Sequence, residues 1–380
     1  MYHVIVYGIS GTLELNEDYI EKRFKIVGYS DSNPEKKATL KQPEMYIWPA
    51  DIVKADFDYI LITSIFDEEI RESLVSKYSV PQDKILLFDE WQGLRFQKEL
   101  GERHPDKTFY VLSRFTRYRD GLFSHIYSYL EQLLWIDKHD VIPVVDMMNY
   151  RNQYLEDDKF GLENSWEYYF EPLSDIPLEE VYDSRNVILG YDKRSDFSNL
   201  SNELERYSMV WKKYIHMKPD IEKKINAKIK TLFDGKERIL GVLYRGTDYK
   251  QLKLKKVPVQ PDLPELFELI DAEFARGSYD GIFVSSESEY ALEQFKNRYG
   301  NNVIYTDQKR FSDTKGKWLS EIEFNRKDDR YLRGYEYLET IMILSECTSL
   351  IAGICHGSIC AKIINGGKYE NELLIEKGVY

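Results

Sequence analysis

The run Ile239-Leu-Gly-Val-Leu-Tyr-Arg-Gly-Thr-Asp248 is apolar up to Tyr244 and then stops at an arginine and an aspartate. A short apolar run bounded by polar residues reads as a buried strand. In open α/β sheets, ligands bind outside the carboxyl ends of the strands. Arg245 and Asp248 therefore stand where a ligand would sit. A guanidinium offers five donors in a fixed fork that suits forked binding of an anion such as phosphate. The plain alternative is a loop ion pair between the two residues. A second basic segment, Arg114-Phe-Thr-Arg-Tyr-Arg-Asp-Gly121, follows the apolar run Thr108–Ser113 and precedes a long apolar stretch with helical character. Arg114, Arg117 and Gly121 can present charge and helix-terminal amides to an anion. The other reading of this segment is a solvated basic loop.

The elements that must position these residues fall into three stretches. Residues 1–100 alternate strand-like runs (His3–Gly8, Phe24–Asp31, Asp58–Thr63, Lys84–Phe88) with helix-compatible segments, which implies βαβ units and a parallel sheet. Gly8, Gly11 and Asp31 stand near the positions of a dinucleotide fingerprint, but the glycine pattern is incomplete. Residues 108–235 hold the strand Thr108–Ser113, a helix from Leu122 to Trp135 and the strand Val141–Asp146. Residues 236–380 form a further alternating set, with strands at Ile239–Tyr244, Gly281–Ser285, Asn302–Tyr305 and Ser349–Gly353. Helices are expected between them, over Leu263–Ala275, Ser288–Tyr299 and Tyr331–Ser345.

Composition narrows the function. At 380 residues the chain is long for one core. A net charge of -13 disfavours non-specific attraction to nucleic acid or an anionic membrane. Any anionic ligand must then be held by a few local cations. No stretch reaches the roughly 18 continuous apolar residues of a membrane span. The start, Met1-Tyr-His-Val-Ile-Val-Tyr-Gly, reads as a strand and not as a basic leader. Cys347, Cys355 and Cys360 are odd in number and lie in apolar surroundings, so buried thiols in a reducing cytoplasm are expected. Zinc is not expected, because His356 is the only neighbouring histidine. The pairs Asp157-Asp158 and Asp328-Asp329 lie in polar stretches and read as solvated.

Residues 108–380 resemble the fucosyltransferase superfamily, which holds the α1,6-, nodulation and protein O-fucosyltransferases. Their strand-end signature His-x-Arg-Arg-x-Asp is matched by Leu243-Tyr-Arg245-Gly-Thr247-Asp248, with Leu243 and Gly246 replacing the histidine and one arginine. The resemblance implies that Arg245 contacts the diphosphate and the departing oxygen, with Thr247 beside it, while Asp248 orders the loop. It also implies that Ser285, Ser286 and Glu287 receive base and ribose. A turn at Gly353, His356, Gly357 and Ser358 would hold the β-phosphate, a position favoured by free amides and the helix dipole. Asp120-Gly121 loosely matches the glycine loop that opens the family's first long helix. The segments Asn164–Pro172 and Pro258–Pro261 resemble those of bacterial relatives in surface-polysaccharide loci.

The fold implied is α/β, a GT-B-like pair of facing Rossmann-like domains (108–235 and 236–380) preceded by a small Rossmann-like domain (1–100). The activity implied is inverting, metal-independent glycosyl transfer, with GDP-fucose as the expected donor and a glycan or lipid-linked glycan as acceptor. No cofactor is expected beyond the nucleotide sugar. Arg114 or Arg117 is expected to reach the donor from the facing domain. Candidates for the base that takes the acceptor proton are Asp248, Glu287, Glu167 and His125. A non-catalytic nucleotide-sugar-binding or scaffold protein of the same fold is the alternative. An NAD-type oxidoreductase is disfavoured by the broken glycine fingerprint.

Overall fold

The computed structural model describes residues 2–64, 66–114, 119–191, 197, 200–253, 257–312 and 314–380. In chain order its first elements are β1 (His3–Tyr7), α1 (Gly11–Arg23), β2 (Lys25–Ser30), β3 (Tyr59–Ile62), α2 (Asp67–Tyr78), β4 (Ile85–Leu86) and α3 (Phe88–Gln92). Next come β5 (Phe96–Lys98), β6 (Arg103–Leu112), α4 (Leu122–Ile136), β7 (Ile142–Val145), α5 (Leu178–Val181) and β8 (Ser184–Leu189). The remainder opens with α6 (Leu200–Tyr214), α7 (Pro219–Leu232), β9 (Ile239–Tyr244), α8 (Asp248–Leu252) and α9 (Leu263–Gly277). It closes with β10 (Gly281–Ser286), α10 (Glu289–Tyr299), β11 (Val303–Ile304), α11 (Asp329–Ser345), β12 (Ser349–Gly353), α12 (His356–Asn365) and β13 (Glu372–Ile375). The α/β class expected from the alternating pattern is the class observed.

By contact the chain divides into two compact units, Met1–Tyr118 with Pro177–Arg194, and Arg119–Ile176 with Ser195–Tyr380. In the first unit, β2-β1-β3-β4 form a parallel sheet. β1 is buried from Val4 to Tyr7 and apolar there because both of its faces are covered. Val4 and Val6 pack with Leu13, Tyr19 and Ile20 of α1. Ile5 packs with Ile60, Ile62 and Leu74 on the opposite face. In the same unit β8 pairs antiparallel with β5 and parallel with β6.

The second unit carries a five-stranded sheet in the order β11-β10-β9-β12-β13. Every pairing in it is parallel. Leu240, Val242, Ile282 and Val284 meet Leu266 and Ile270 of α9 and Phe295 of α10 in one core cluster. From β9 the chain winds first to β10 and β11, then crosses back to β12 on the other side. The strand order therefore reverses between β9 and β12, and the crevice outside their carboxyl ends is where such sheets hold ligands.

Candidate functional site at the switch point of the second sheet

β9 ends at Tyr244 with Arg245 next, and the first residues of the following turn are bound by an acid from the neighbouring strand. Glu287, just past β10, accepts with Oε1 from the Gly246 amide at 3.0 Å, the Thr247 amide at 3.3 Å and the Thr247 hydroxyl at 2.7 Å. Arg245 Nη2 donates to Asp248 Oδ1 at 2.9 Å, and its Nε lies 3.5 Å from Glu287 Oε1 without a hydrogen bond. Asp248 Oδ1 also accepts the Tyr249 amide at 3.0 Å. The guanidinium carbon sits 4.6 Å from the centre of the Tyr249 ring. Burial opposes the charge on Arg245, but Glu287 and Asp248 outweigh it and hold the guanidinium firmly protonated. The ion pair and the anion-binding role are thus compatible. One fork arm is anchored, and the charge stays fixed at the strand end.

Gly246 explains one departure from the fucosyltransferase signature. A Cβ at this position would stand 2.4 Å from Cε1 of Tyr244, whose ring is buried in the core of the sheet. A second arginine has no room here without repacking that ring.

Across the switch point, β12 ends at Gly353 and α12 begins after Cys355. Ser358 is fully buried and closes this start: its hydroxyl takes the Cys355 amide at 3.0 Å and lies 2.9 Å from the Gly353 and Cys355 carbonyls. Its side chain is therefore committed to the cap, which leaves the amides of the first turn as the groups offered to an anion. His356 lies among aromatic rings, with Tyr127 at 5.9 Å and Phe197 at 5.0 Å. Ser285 and Ser286 are buried at the end of β10.

Gly121 caps α4, and both it and Gly357 lie against one side chain, Tyr337 of α11. A Cβ on Gly121 would meet Tyr337 Cε1 at 3.7 Å, and one on Gly357 would meet its hydroxyl oxygen at 2.4 Å. The N-termini of α4 and α12 thus share a tyrosine, which also packs edge-on to Phe123 at 5.2 Å. Burial pushes the Tyr337 hydroxyl well above its usual range, so it stays a neutral donor. Gln260, inside the segment Pro258–Pro261 that the resemblance singles out but with no role given to it there, is the other residue that reaches this end of the sheet. It is buried, and its Nε2 donates to the Ile354 carbonyl at 2.8 Å, pinning the proline-flanked strap 258–261 across the end of β12. Tyr337 has no sequence signal of its own, and the motif around Gln260 does not reveal its contact, since both act through chain crossings that spacing does not show.

The remaining expected residues stand on other segments or outside the described residues. Arg114 is buried just after β6, in the first unit. Arg117 lies outside the described residues. His125 is fully buried in α4, with Nδ1 3.5 Å from the Tyr150 hydroxyl, within a group of tyrosine rings. Glu167 is half-buried in the short turn Ser165–Tyr168. Asp157 is exposed as expected, but Asp329 is not solvated: it is 8% exposed and paired with Arg326 and Arg333. All three cysteines are buried and free. Among the described residues no helix is long and apolar enough to cross a membrane, and no group of three or more His, Cys, Asp or Glu is placed to hold a metal.

Residues 1–86 match the family model described as C2185-like, N-terminal. No curated protein matches the chain. Among solved structures, NodZ α-1,6-fucosyltransferase soaked with GDP-fucose aligns with 68% of this chain and 92% of its own, at 14% identity and a TM-score of 0.43. A mutant of FUT1 from Arabidopsis thaliana in complex with GDP aligns with 69% of this chain and 70% of its own, at 12% identity and a TM-score of 0.39. POFUT1 in complex with GDP aligns with 98% of each chain, at 11% identity and a TM-score of 0.34. At such scores these likenesses decide nothing about the chemistry of the site, which is defined by the residues of this chain.

Proposed function

We propose that the chain is a glycosyltransferase that takes its sugar from a nucleoside diphosphate donor. The observation that carries this reading is Arg245, fixed by Asp248 and braced from Glu287 at the carboxyl end of β9, opposite the N-terminus of α12. As the glycosidic bond breaks, negative charge collects on the departing diphosphate. A guanidinium that is already oriented and mostly withdrawn from solvent lowers the cost of that charge without reorganising at the moment of reaction. The first-turn amides of α12 add the helix dipole. The sequence resemblance gives Ser285 and Ser286, at the end of the neighbouring strand β10, the ribose to receive.

The finer assignment comes from the sequence resemblance: GDP-fucose as donor, transfer with inversion and without a metal, and an acceptor glycan of a bacterial surface polysaccharide made in the cytoplasm. Asp248 is engaged through Oδ1 by Arg245 and the Tyr249 amide, which commits it to ordering the loop. Glu287 is engaged through Oε1 by three donors of the arginine loop, which leaves Oε2 for a proton.

The test is a thermal-shift titration with GDP, UDP, CDP and NAD on the native chain, Arg245→Ala and Arg245→Lys. A ligand bound only by the folded state raises stability by about 2.7 kcal/mol at a hundredfold excess over Kd. The expected result is a shift with GDP that both variants lose, followed by release of fucose from GDP-fucose with a suitable acceptor. No shift with any diphosphate would sink the proposal. Binding without turnover of any nucleotide sugar would make the chain a nucleotide-sugar-binding scaffold.

A further inference from the structure

Beside the arginine loop the second unit holds a cleft of about 860 Å3, lined by α10 and by residues of 305–312 and 314–324. It adjoins the site on two sides. The Phe311 amide donates to the Glu287 carbonyl at 2.8 Å, and the Thr314 hydroxyl bonds Gln251 of α8. Its size is that of a pocket for a ligand of a few rings.

Three half-buried aromatic rings, Tyr305, Phe311 and Phe324, line this cleft, and two carry a cation: Lys296 Nζ lies 4.0 Å from the Tyr305 centroid and Lys309 Nζ 5.4 Å from that of Phe324. Three of the lining acids are already answered. Asp307 is held by Lys228 at 2.8 Å, Glu321 by Arg119 at 3.0 Å, and Glu323 stands 3.6 Å from Arg330. Lys296, Lys309 and Lys317 have no ion pair among the described residues. In a chain of net charge -13, Lys296 and Lys309 over aromatic rings, which with Lys317 outnumber the lining acids Glu289 and Glu293, mark a place for an anion with an apolar face.

The kind of anion is set by what the cleft lacks. Phosphate is held best by guanidinium forks or helix-start amides. The lining Arg310 gives its guanidinium to the carbonyls of Ser286, Gln308 and Thr306. The start of α10 is closed by the Ser288 hydroxyl, which accepts the Ala291 amide at 3.2 Å. What remains is lysine point charges for carboxylates, rings for the C–H face of a pyranose, and Glu289 and Glu293 to accept sugar hydroxyls. We propose that this cleft binds a uronic-acid-bearing stretch of the acceptor saccharide. The inference rests on the transferase reading only in calling that saccharide the acceptor.

The experiment is calorimetric titration of the full chain with three tetrasaccharides: tetragalacturonate, the hyaluronan tetrasaccharide and neutral maltotetraose. At low salt at least one acidic tetrasaccharide is expected to bind at least about tenfold more tightly than maltotetraose, with the preference falling as salt rises. The double variant Lys296→Gln/Lys309→Gln should lose that preference while keeping the GDP thermal shift, which shows it folded. Arg245→Lys should lose the GDP shift and keep the saccharide, so failure of the donor site and failure of this cleft give different results. Equal binding of maltotetraose, no binding of either acidic tetrasaccharide, or an unaffected double variant would each overturn the proposal. Displacement of the saccharide by GDP would overturn it too, by giving the cleft to the nucleotide.

Discussion

The Thr247 hydroxyl donates to Glu287 Oε1 at 2.7 Å, so a side chain at the end of β10 holds the turn that follows β9. Neighbouring parallel strands end side by side, and a carboxylate on one can reach the backbone of the other. The same oxygen takes two amides of the turn, an arrangement that charge makes stronger than neutral bonding. A loop held in this way keeps its arginine at one angle before any ligand arrives.

Removing that brace should therefore cost both stability and affinity. Glu287→Ala leaves two amides and a hydroxyl without their acceptor, and an unmet buried donor costs about 1–3 kcal/mol. The urea midpoint should fall accordingly, and GDP affinity should drop about tenfold or more. Glu287→Gln keeps an oxygen for the three donors, so it should recover most of the stability. An alanine variant that binds GDP like the native chain would show that the arginine loop needs no brace.

Gly357 is the tightest point where the two helix starts meet Tyr337. A methyl group at 357 would stand 2.4 Å from the tyrosine oxygen, well inside van der Waals contact. Gly357→Ala should displace the first turn of α12, costing about 1–3 kcal/mol and most of the GDP-induced shift. Tyr337→Phe removes the obstructing oxygen and should restore both when combined with Gly357→Ala. If the double variant is no better than the single, the strain lies elsewhere and Tyr337 does not set the position of α12.

Strand ends are legible in the sequence because burial on both faces forces an unbroken apolar run, and such runs are visible in Ile239–Tyr244 and Ser349–Gly353. Arg245, Asp248 and the start of α12 follow from those ends by chain order alone. What the spacing hides is which side chain crosses between elements. Glu287 lies about forty residues after the turn it holds, and Gln260 and Tyr337 reach the site from segments whose local pattern is ordinary. The β6 boundary was hidden for a similar reason. Its first residue, Arg103, is polar, yet it pairs with Ser184 far along the chain. Asp329 reads as solvated because its neighbours in sequence are polar, yet two of those neighbours, Arg326 just before α11 and Arg333 one turn into it, close over the carboxylate.

That misjudged aspartate yields a pH prediction. Burial alone would push the Asp329 carboxyl up, but hydrogen bonds from Arg326 at 2.6 Å and Arg333 at 2.8 Å hold it below the usual carboxylate range. A carboxylate with a depressed folded-state pKa contributes stability above its unfolded value, near 3.9, and loses it as pH falls through the folded one. Asp329→Asn should lower the stability of the chain by about 3 kcal/mol at pH 7, as breaking a buried pair does. The difference in melting temperature between native and variant should then narrow as pH drops below about 4. A difference that stays constant down to pH 3 would mean that the charge of Asp329 contributes nothing.

In the N-terminal sheet, Asp31 occupies the position where a dinucleotide fold would place its ribose-binding acid, yet both of its oxygens are engaged by the backbone. Oδ2 accepts the Ile9 amide at 2.7 Å, and Oδ1 accepts the Asn33 amide at 2.8 Å. The first bond ties the loop after β1 to the end of β2, across the point where a pyrophosphate would need the backbone to open. A ribose would have to displace it, at about the cost of a charge-assisted hydrogen bond. NAD should therefore leave the melting temperature unchanged in the native chain. Asp31→Ala should lower stability by about 1–3 kcal/mol without creating NAD binding, because the loop loses its tie and gains no third glycine. A rise in melting temperature with NAD, lost in Asp31→Ala, would show instead that the carboxylate can leave its amides for a ribose, and would make this sheet a second nucleotide site.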